Sequence, residues 1–267
     1  MRTLHVLFAA VLVAFATPAA AESTRANQAI LVEHPSGRVL FEKGEDKAMA
    51  PSSLTKLMTL YLAFEALKEG RVSETTPVKI SKRAAEARGS SMDLSAGDGV
   101  PFGELVRGAA ITSANDAAVA IAEHLGKSEA AFAKTMSATA RDLGLSGSRF
   151  ANATGHTAKD HRMTAADVAK LAGAILQRYP ERYRMFGEIA FRFRNQTYPN
   201  RNPLLGSYPG ADGIKTGQTS AGGYGIAASA VRDGKRLILV LNGLPSEDAR
   251  AAEARRLLDW GFSRSSR

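Results

Sequence analysis

Residues 53–68 read SLTKLMTLYLAFEALK, and this stretch decides what kind of fold the chain can adopt. On a helix its apolar residues fall on almost every side, which is typical of a helix that is buried on most of its faces. Gly70 offers a stop signal just beyond its end. The stretch therefore predicts a helix that lies inside the protein.

Strand-like segments lie at both ends of the chain. Residues 29–33 and 38–42 flank His34-Pro-Ser-Gly37 and predict a β-hairpin. Three further strands are predicted near the carboxyl end, and Asp233-Gly234 has the composition of a hairpin turn between the last two. These strands cover residues 213–217, 223–231 and 236–242, and a final helix covers 246–260.

Helical segments occupy the middle of the chain. One covers residues 102–143, with breaks near Thr112-Ser113 and at Gly126, and another covers 164–178. Between that helix and the last strands, residues 186–197 mix aromatic and charged side chains as a surface strand pair does. We expect the terminal strands to share one antiparallel sheet that helices cover, which is an α+β domain with a helical subdomain.

The first 21 residues have the features of an export signal. Arg2 precedes an apolar stretch over residues 4–17, and Ala19-Ala20-Ala21 offers a small-residue cleavage site. An uncleaved membrane anchor is the alternative, but crossing ~30 Å of hydrocarbon takes ~20 apolar residues. We therefore expect cleavage after Ala21 and export of a single domain over residues 22–267.

Composition excludes several classes of function. The chain has 35 basic and 26 acidic residues, a formal net charge of +9, and its basic residues are scattered and not gathered in one tract. Nucleic-acid binding needs clustering on one face, so no nucleic-acid partner is expected. The chain contains no Cys, which excludes disulfides, catalytic thiols and zinc–thiolate sites.

Serine catalysis through a Ser-His-Asp triad is disfavoured as well. The chain contains no G-x-S-x-G elbow. His156 and His161 are five residues apart, which is the wrong spacing for an H-x-x-x-H metal pair. We expect each His to be exposed or hydrogen-bonded, and we expect no metal and no cofactor.

Ser53 and Lys56 form the first of three short polar strings, at the start of the buried helix. Residues i and i+3 share a helix face, so the Lys56 amine can reach the Ser53 hydroxyl. A serine becomes a good nucleophile when a base takes its proton, and a lysine serves as that base when burial and nearby positive charge lower its pKa. Lys215 is the candidate for that charge. The alternative is a helix-capping Ser followed by an exposed Lys.

The second string, Ser113-Ala-Asn115, lies in a polar break between two helical segments. A hydroxyl there can pass a proton to a leaving amine, and an amide there can hold a substrate backbone. The alternative is that Ser113, Asn115 or Asp116 caps a helix.

The third string, Lys215-Thr-Gly217, ends a predicted strand. Lys215 brings positive charge, Thr216 can bond a carboxylate, and Gly217 leaves room for substrate along the strand edge. The backbone N–H groups of Ser53 and Gln218 are candidate oxyanion donors. The alternative is a strand that simply runs into a glycine turn.

With all three strings present in this order, the chain resembles the penicillin-binding D-alanyl-D-alanine carboxypeptidases, a family of serine peptidases with a β-lactamase/transpeptidase-like fold. The likeness extends to residues 51–59, 89–91, 200–205, 212–217 and 257–262. It implies removal of the terminal D-alanine from peptidoglycan stem pentapeptides, and covalent inhibition by β-lactam antibiotics. It also implies that Arg250, at the start of the last helix, holds the substrate's terminal carboxylate through its guanidinium fork.

Two features of the chain differ from many relatives. Gln218 stands where many relatives have His, although its backbone N–H is retained. Many relatives also continue into a second domain and a membrane-binding helix, whereas this sequence stops at Arg267. Its last helix has few bulky apolar residues, so we expect a periplasmic enzyme without a stable membrane anchor.

Other activities on the same scaffold stay open. A D,D-endopeptidase that cuts cross-links would use the same residues. A β-lactamase is a weaker alternative because no E-x-x-L-N string lies between Asn115 and Lys215. A non-catalytic cell-wall binding protein would not need the nucleophile and the base together.

Overall fold

The strands come in one large sheet and two small pairs. The computed structural model describes residues 22–265, so the predicted leader lies outside the described residues. Within them the strands are β1 Gln28–His34, β2 Val39–Lys43, β3 Pro77–Lys79, β4 Gly99–Pro101, β5 Ala190–Phe193, β6 Gln196–Pro199, β7 Ala211–Thr219, β8 Gly223–Arg232 and β9 Lys235–Leu244. The large antiparallel sheet has the order β2-β1-β9-β8-β7, so both chain ends contribute to it, as predicted.

Helices cover this sheet. In the described part of the chain they are α1 Lys56–Lys68, α2 Lys82–Ala85, α3 Phe102–Arg107, α4 Asn115–Gly126, α5 Glu129–Asp142, α6 Ala165–Arg178, α7 Pro180–Tyr183 and α8 Glu247–Ser265. Shorter turns are 3₁₀-helical at Ser52–Thr55 and Arg184–Gly187 and π-helical at Gly108–Thr112. The predicted breaks in the long helical segment are present, and the predicted helix over 53–68 begins as a 3₁₀ turn.

Two apolar cores lie on the two faces of the sheet because side chains alternate along each strand. In β9, Ile238 and Val240 pack into the larger core, which contains α1, α4 and α6. Leu237, Leu239 and Leu241 point to the opposite face and pack against α8. Helix α1 lies in the larger core, and its own residues are buried on nearly all sides, as the sequence predicts.

Sequence reasoning did not identify the smallest elements. The pair β3–β4 and the helices α2 and α7 are each three or four residues long, too short to show a periodic pattern. The last helix also runs further than predicted, to Ser265. None of these differences changes the α+β architecture.

Candidate active site

Ser53 lies in the 3₁₀ turn, which packs against the outer edge of strand β7. The close approach depends on Gly217, because a Cβ there would lie 3.0 Å from the Ser52 Cβ and 3.2 Å from the Ser53 nitrogen. The Ser52 hydroxyl donates to Thr219 Oγ1 at 3.1 Å, which ties the turn to the same strand. Gly217 is therefore needed to seat the serine turn, a reason that the sequence pattern does not reveal.

Lys56 places its amine beside the Ser53 hydroxyl. The Lys56 Nζ lies 3.0 Å from Ser53 Oγ and donates to the Thr154 carbonyl at 2.9 Å. The lysine is fully buried, with 0% exposure. Burial lowers the pKa of Lys56 to about 7, while the negative charge of Asp116 acts in the opposite direction. A large fraction of Lys56 is therefore neutral near neutral pH and able to accept a proton.

Lys215 is buried on β7 near this pair. Burial is the main reason that the pKa of Lys215 lies well below its usual value, and the positive charges of Lys56, Arg201 and Arg250 lower it further. For Lys56 itself the lowering comes from burial. The expected repulsion between the two lysines thus acts on the pKa of Lys215.

A loop over residues 151–161 carries the Thr154 carbonyl that accepts from the amine of Lys56. Ala151 N–H donates to His161 Nδ1 at 3.0 Å, and the His161 Nε2 lies 2.8 Å from Thr55 Oγ1. Burial lowers the pKa of His161 to about 4, so the ring is neutral at pH 7, and its proton must be on Nε2, donating to Thr55. This histidine is hydrogen-bonded, one of the two predicted alternatives, and it holds the loop that carries the Thr154 carbonyl.

Ser113 and Asn115 lie at the junction between the π-helical turn and α4. Ser113 has a left-handed backbone with φ of 67°, a conformation that is uncommon outside glycine. Ala114 is the N-cap residue of α4, and neither Ser113 nor Asn115 bonds the start of the helix through its side chain, so the alternative that either of them caps it is wrong. Asp116, the third candidate, does accept from the Ala117 N–H in the first turn at 2.8 Å. The Asn115 Nδ2 donates to the Arg88 carbonyl instead, and its backbone N–H donates to Ser90 at 2.7 Å.

Asp116, next to this string, fixes the segment that faces it. Its buried carboxylate accepts from the Met92 N–H and the Leu94 N–H and from the Ser91 hydroxyl at 2.6 Å. Gly89, just before this segment, packs closely against Asn115, because a Cβ on Gly89 would lie 2.8 Å from the Asn115 Nδ2. From the sequence, Asp116 was considered only as a helix cap, and no local pattern indicates its long-range partners.

Arg250 lies on α8, close enough to the end of β7 for its charge to act on Lys215. Its guanidinium is 3.7 Å from the Glu247 carboxylate and 5.9 Å from the ring centre of Tyr224, which pairs with Gln218 across the sheet. Burial lowers the pKa of Arg250, although a guanidinium keeps its charge at pH 7. Sequence reasoning did not single out Arg201 as a source of positive charge here.

Unsatisfied buried polar atoms concentrate at these residues. Five buried side-chain atoms among the described residues have no hydrogen-bond partner, and three of them are Ser113 Oγ, Asn115 Oδ1 and Arg250 Nε. Native interiors satisfy nearly all such groups, so a cluster of exceptions needs an explanation. Here Ser113 is a predicted catalytic residue, and Asn115 and Arg250 are predicted to bind substrate.

A family model for D-alanyl-D-alanine carboxypeptidase, peptidase family S11, matches residues 15–245. The chain belongs to this family. Among its relatives, D-alanyl-D-alanine carboxypeptidase DacF from Bacillus subtilis is 35% identical over 243 residues, which are 89% of this chain and 62% of the relative. The chain thus spans less than two thirds of that protein's length.

Solved structures of penicillin-binding proteins have the same fold. Penicillin binding protein 5 from Haemophilus influenzae superposes with a TM-score of 0.88 at 34% identity, over 92% of this chain and 73% of that one. Penicillin-binding protein D2 from Listeria monocytogenes, in its cefotaxime-bound form, gives 0.84 at 28% identity, over 91% and 99%. These matches confirm the predicted family and its fold.

Two further properties bear on function within residues 22–265. No cluster of three or more His, Asp or Glu side chains there is arranged to hold a metal ion. Among the helices of the same residues, none has the length and apolar character needed to cross a membrane.

Proposed function

We propose that the protein is a serine-type D-Ala-D-Ala carboxypeptidase that removes the terminal D-alanine from peptidoglycan stem pentapeptides. The observation that carries this proposal is the Lys56 amine, fully buried and 3.0 Å from the Ser53 hydroxyl. An amine with a pKa of about 7 can take the serine proton at neutral pH, and general-base catalysis of this kind contributes ~10²–10⁴-fold to rate.

Ser53 Oγ attacks the carbonyl carbon of the bond between the two D-alanines while its proton moves to Lys56 Nζ. The backbone N–H groups of Ser53 and Gln218 stabilise the oxyanion that forms. The C–N bond then breaks, and the Ser113 hydroxyl relays the proton from Lys56 to the leaving amine. Free D-alanine departs and the stem peptide remains as an ester on Ser53. Water, deprotonated by Lys56, hydrolyses this ester and restores both groups.

Substrate positioning falls to the other residues of the site. Asn115 holds the peptide backbone on the acyl side, and the space beside Gly217 receives the substrate along the edge of β7. Lys215, Thr216 and Arg250 bind the terminal carboxylate that a carboxypeptidase must recognise. A buried guanidinium suits this task because its donor fork matches a carboxylate.

Penicillins carry a carboxylate next to a strained amide, so they enter the same site and acylate Ser53. Mass spectrometry after incubation with a penicillin should show one adduct, on the peptide that contains Ser53. An adduct on another serine, or no adduct, would rule out this nucleophile.

The reaction is tested by presenting three substrates separately: a stem pentapeptide, a cross-linked stem dimer and a penicillin. Release of D-alanine from the pentapeptide supports the proposal. Faster cleavage of the dimer would make the protein a D,D-endopeptidase, and rapid turnover of the penicillin would make it a β-lactamase. Binding without any reaction would leave only a cell-wall binding role.

We also propose that the protein works outside the cytoplasm, in the periplasm, after removal of residues 1–21, and that residues 22–267 act as one catalytic domain. The family's peptidoglycan substrate and the leader pattern support the first point. Amino-terminal sequencing of the mature protein from the periplasmic fraction would test it, and a start at Met1 would contradict it.

A further inference from the structure

A cavity of about 390 Å³ opens beside the proposed active site, on the far side of Asn115. Its wall is built from α2 and the segment that follows it, from α4 and α5, and from the 151–161 loop. We call it the Arg88 cavity. The polar residues that line it are Arg83, Arg88, Glu129, Asn152, Thr154 and His156.

The Arg88 cavity adjoins the catalytic groups. Thr154, one of its lining residues, accepts the hydrogen bond from the Lys56 amine at 2.9 Å. The carbonyl of Arg88 accepts from the Asn115 amide and lies 3.1 Å from His156 Nε2. The same His156 nitrogen lies 3.3 Å from the Asn115 Nδ2, so the ring contacts both the Arg88 carbonyl and the Asn115 amide. A ligand in the cavity therefore lies next to the residue that we assign to the acyl side of the substrate.

The charges around this cavity favour an anion. Glu129 is only 6% exposed and its carboxylate is occupied, because it pairs with Arg83 and accepts from the Ala153 N–H at 3.0 Å. Arg83 also lies 3.9 Å from Glu123, so the positive charge of Arg83 is already met by two carboxylates of the protein. Arg88 is exposed, and its guanidinium has no ion pair with any residue that the structure describes. The Arg88 guanidinium is thus the charged group left to meet a ligand.

We propose that the Arg88 cavity binds a free carboxylate on the side chain of the residue that precedes D-Ala-D-Ala in the substrate. This inference rests on the carboxypeptidase function proposed above. Thr154 contacts Lys56 and also lines the cavity, so the cavity lies close to the acylated serine. Because an extended residue spans at most ~3.6 Å, the residue next to the acylated D-alanine is the one that can reach it. A guanidinium presents a planar donor fork that matches a carboxylate. The cavity then distinguishes stem peptides with a free carboxylate there from those in which it is amidated.

The test compares two N-acetyl peptides of the form X-D-Ala-D-Ala. In one, X is 2-aminopimelic acid with its side-chain carboxylate free, and in the other that carboxylate is the amide, which has nearly the same shape. The wild-type kcat/KM should be roughly three- to tenfold higher for the acid than for the amide. This factor lies between the effect expected of an exposed ion pair and that of a charge-assisted hydrogen bond. Raising the ionic strength from about 0.05 to about 0.5 M should reduce the preference, because salt screens exposed charges.

Arg88→Gln should bring the acid-to-amide ratio close to one, because it removes the charge and leaves the backbone carbonyl that holds Asn115. Lys82→Gln is the matched control. It removes an exposed positive charge from the neighbouring helix α2, outside the cavity, and should keep the wild-type ratio. Thermal unfolding of both variants checks that they are folded.

Equal kcat/KM values of the wild type for the two peptides would overturn the proposal. So would a preference for the acid that survives in Arg88→Gln or disappears equally in Lys82→Gln. Release of D-alanine by the wild type from both peptides measures the proposed function by itself. If neither peptide is cleaved, the carboxypeptidase function is refuted, and this inference, which rests on it, is refuted as well. Cleavage of both peptides with equal kcat/KM would refute this inference alone.

Discussion

The pH dependence of acylation tests the assignment of Lys56 as the base. Only the neutral amine can accept the Ser53 proton, so the acylation rate should follow the neutral fraction of Lys56. With a pKa of about 7, that fraction is about 1% at pH 5, about 10% at pH 6 and about 90% at pH 8. Acylation by a penicillin should therefore rise nearly a hundredfold between pH 5 and pH 8.

Lys215 is the second titrating amine of the site. It is one of the groups that we assign to the carboxylate of the penicillin, and its pKa is lowered by burial and by the cations around it. Loss of its positive charge weakens binding, so its titration should reduce the rise in rate that Lys56 produces. The pH profile is a property of the interacting pair of lysines and not of either residue alone.

Asp116→Asn is the perturbation that makes this test specific to the site. The negative charge of Asp116 favours the protonated form of Lys56, so its removal should move the rising limb to lower pH. Asn has nearly the shape of Asp and keeps one acceptor oxygen for the backbone donors on the 91–94 segment. Asp142→Asn removes an exposed carboxylate on α5 and should leave the profile unchanged.

The assay is the second-order rate constant for acylation by a fluorescent penicillin, measured by stopped flow from about pH 5 to about pH 9.5. A profile that is flat over this range would refute the role of Lys56. A rising limb at the ordinary lysine pKa of ~10.4 would refute the effect of burial. A profile that does not move in Asp116→Asn would mean that another group is titrating.

Three other substitutions test separate parts of the site. Lys56→Arg should lower the acylation rate by about two orders of magnitude or more, because a guanidinium does not release its proton near pH 7. Gly217→Ala should lower that rate about tenfold with little change in Tm, because the new Cβ pushes the serine turn away from β7. Arg250→Ala should lower kcat/KM for a D-Ala-D-Ala substrate by ~10- to 100-fold, the effect of a charged hydrogen bond. It should add little loss for the C-terminally amidated substrate, and Arg255→Ala on the same helix serves as the control. Equal losses on both substrates would mean that Arg250 only supports the fold.

Local periodicity was sufficient to predict the main sheet and the buried helix. The continuous apolar runs of β9 and α1 each indicate an element that is buried on most of its sides, as the structure shows. The contact between Ser53 and Lys56 was predictable for the same reason, because three residues along a helix fix it. The two orphaned polar atoms of Ser113 and Asn115 likewise belong to a string that was recognised beforehand.

Contacts between distant segments could not be predicted in this way. The Thr154 carbonyl is a backbone group 98 residues from Lys56, and no side-chain pattern identifies it. From the sequence Asp116 resembles a helix cap, and its hydrogen bonds to the 91–94 segment are seen only in the structure. The need for Gly217 also depends on two segments, since it arises where the serine turn meets β7. Each of these features depends on packing across the fold, which a single local window does not contain.

The apolar character of α1 both buries the helix in the core and lowers the pKa of the proposed base, Lys56. The residues that bury this helix also take Lys56 out of water, and that burial lowers its pKa. The same burial must cost stability. Below pH 7 the amine is protonated in both the folded and the unfolded chain, so the full cost of a buried charge is present. Above pH 7 the folded state is neutral while the unfolded chain still binds the proton, so stability rises with pH up to the ordinary lysine pKa.

Lys56→Met, an uncharged side chain of similar length, removes this cost. The variant should therefore gain more stability over the wild type at pH 7 than at pH 9. At ~1.4 kcal/mol for each pH unit, and with half of the folded-state amine still protonated at pH 7, the difference over two units is about 2 kcal/mol, measurable by denaturant unfolding at the two pH values. An equal gain at both would mean that the Lys56 amine is charged throughout, stabilised by Asp116 and the Thr154 carbonyl. In that case it could not serve as the base, and the proton of Ser53 would have to go elsewhere.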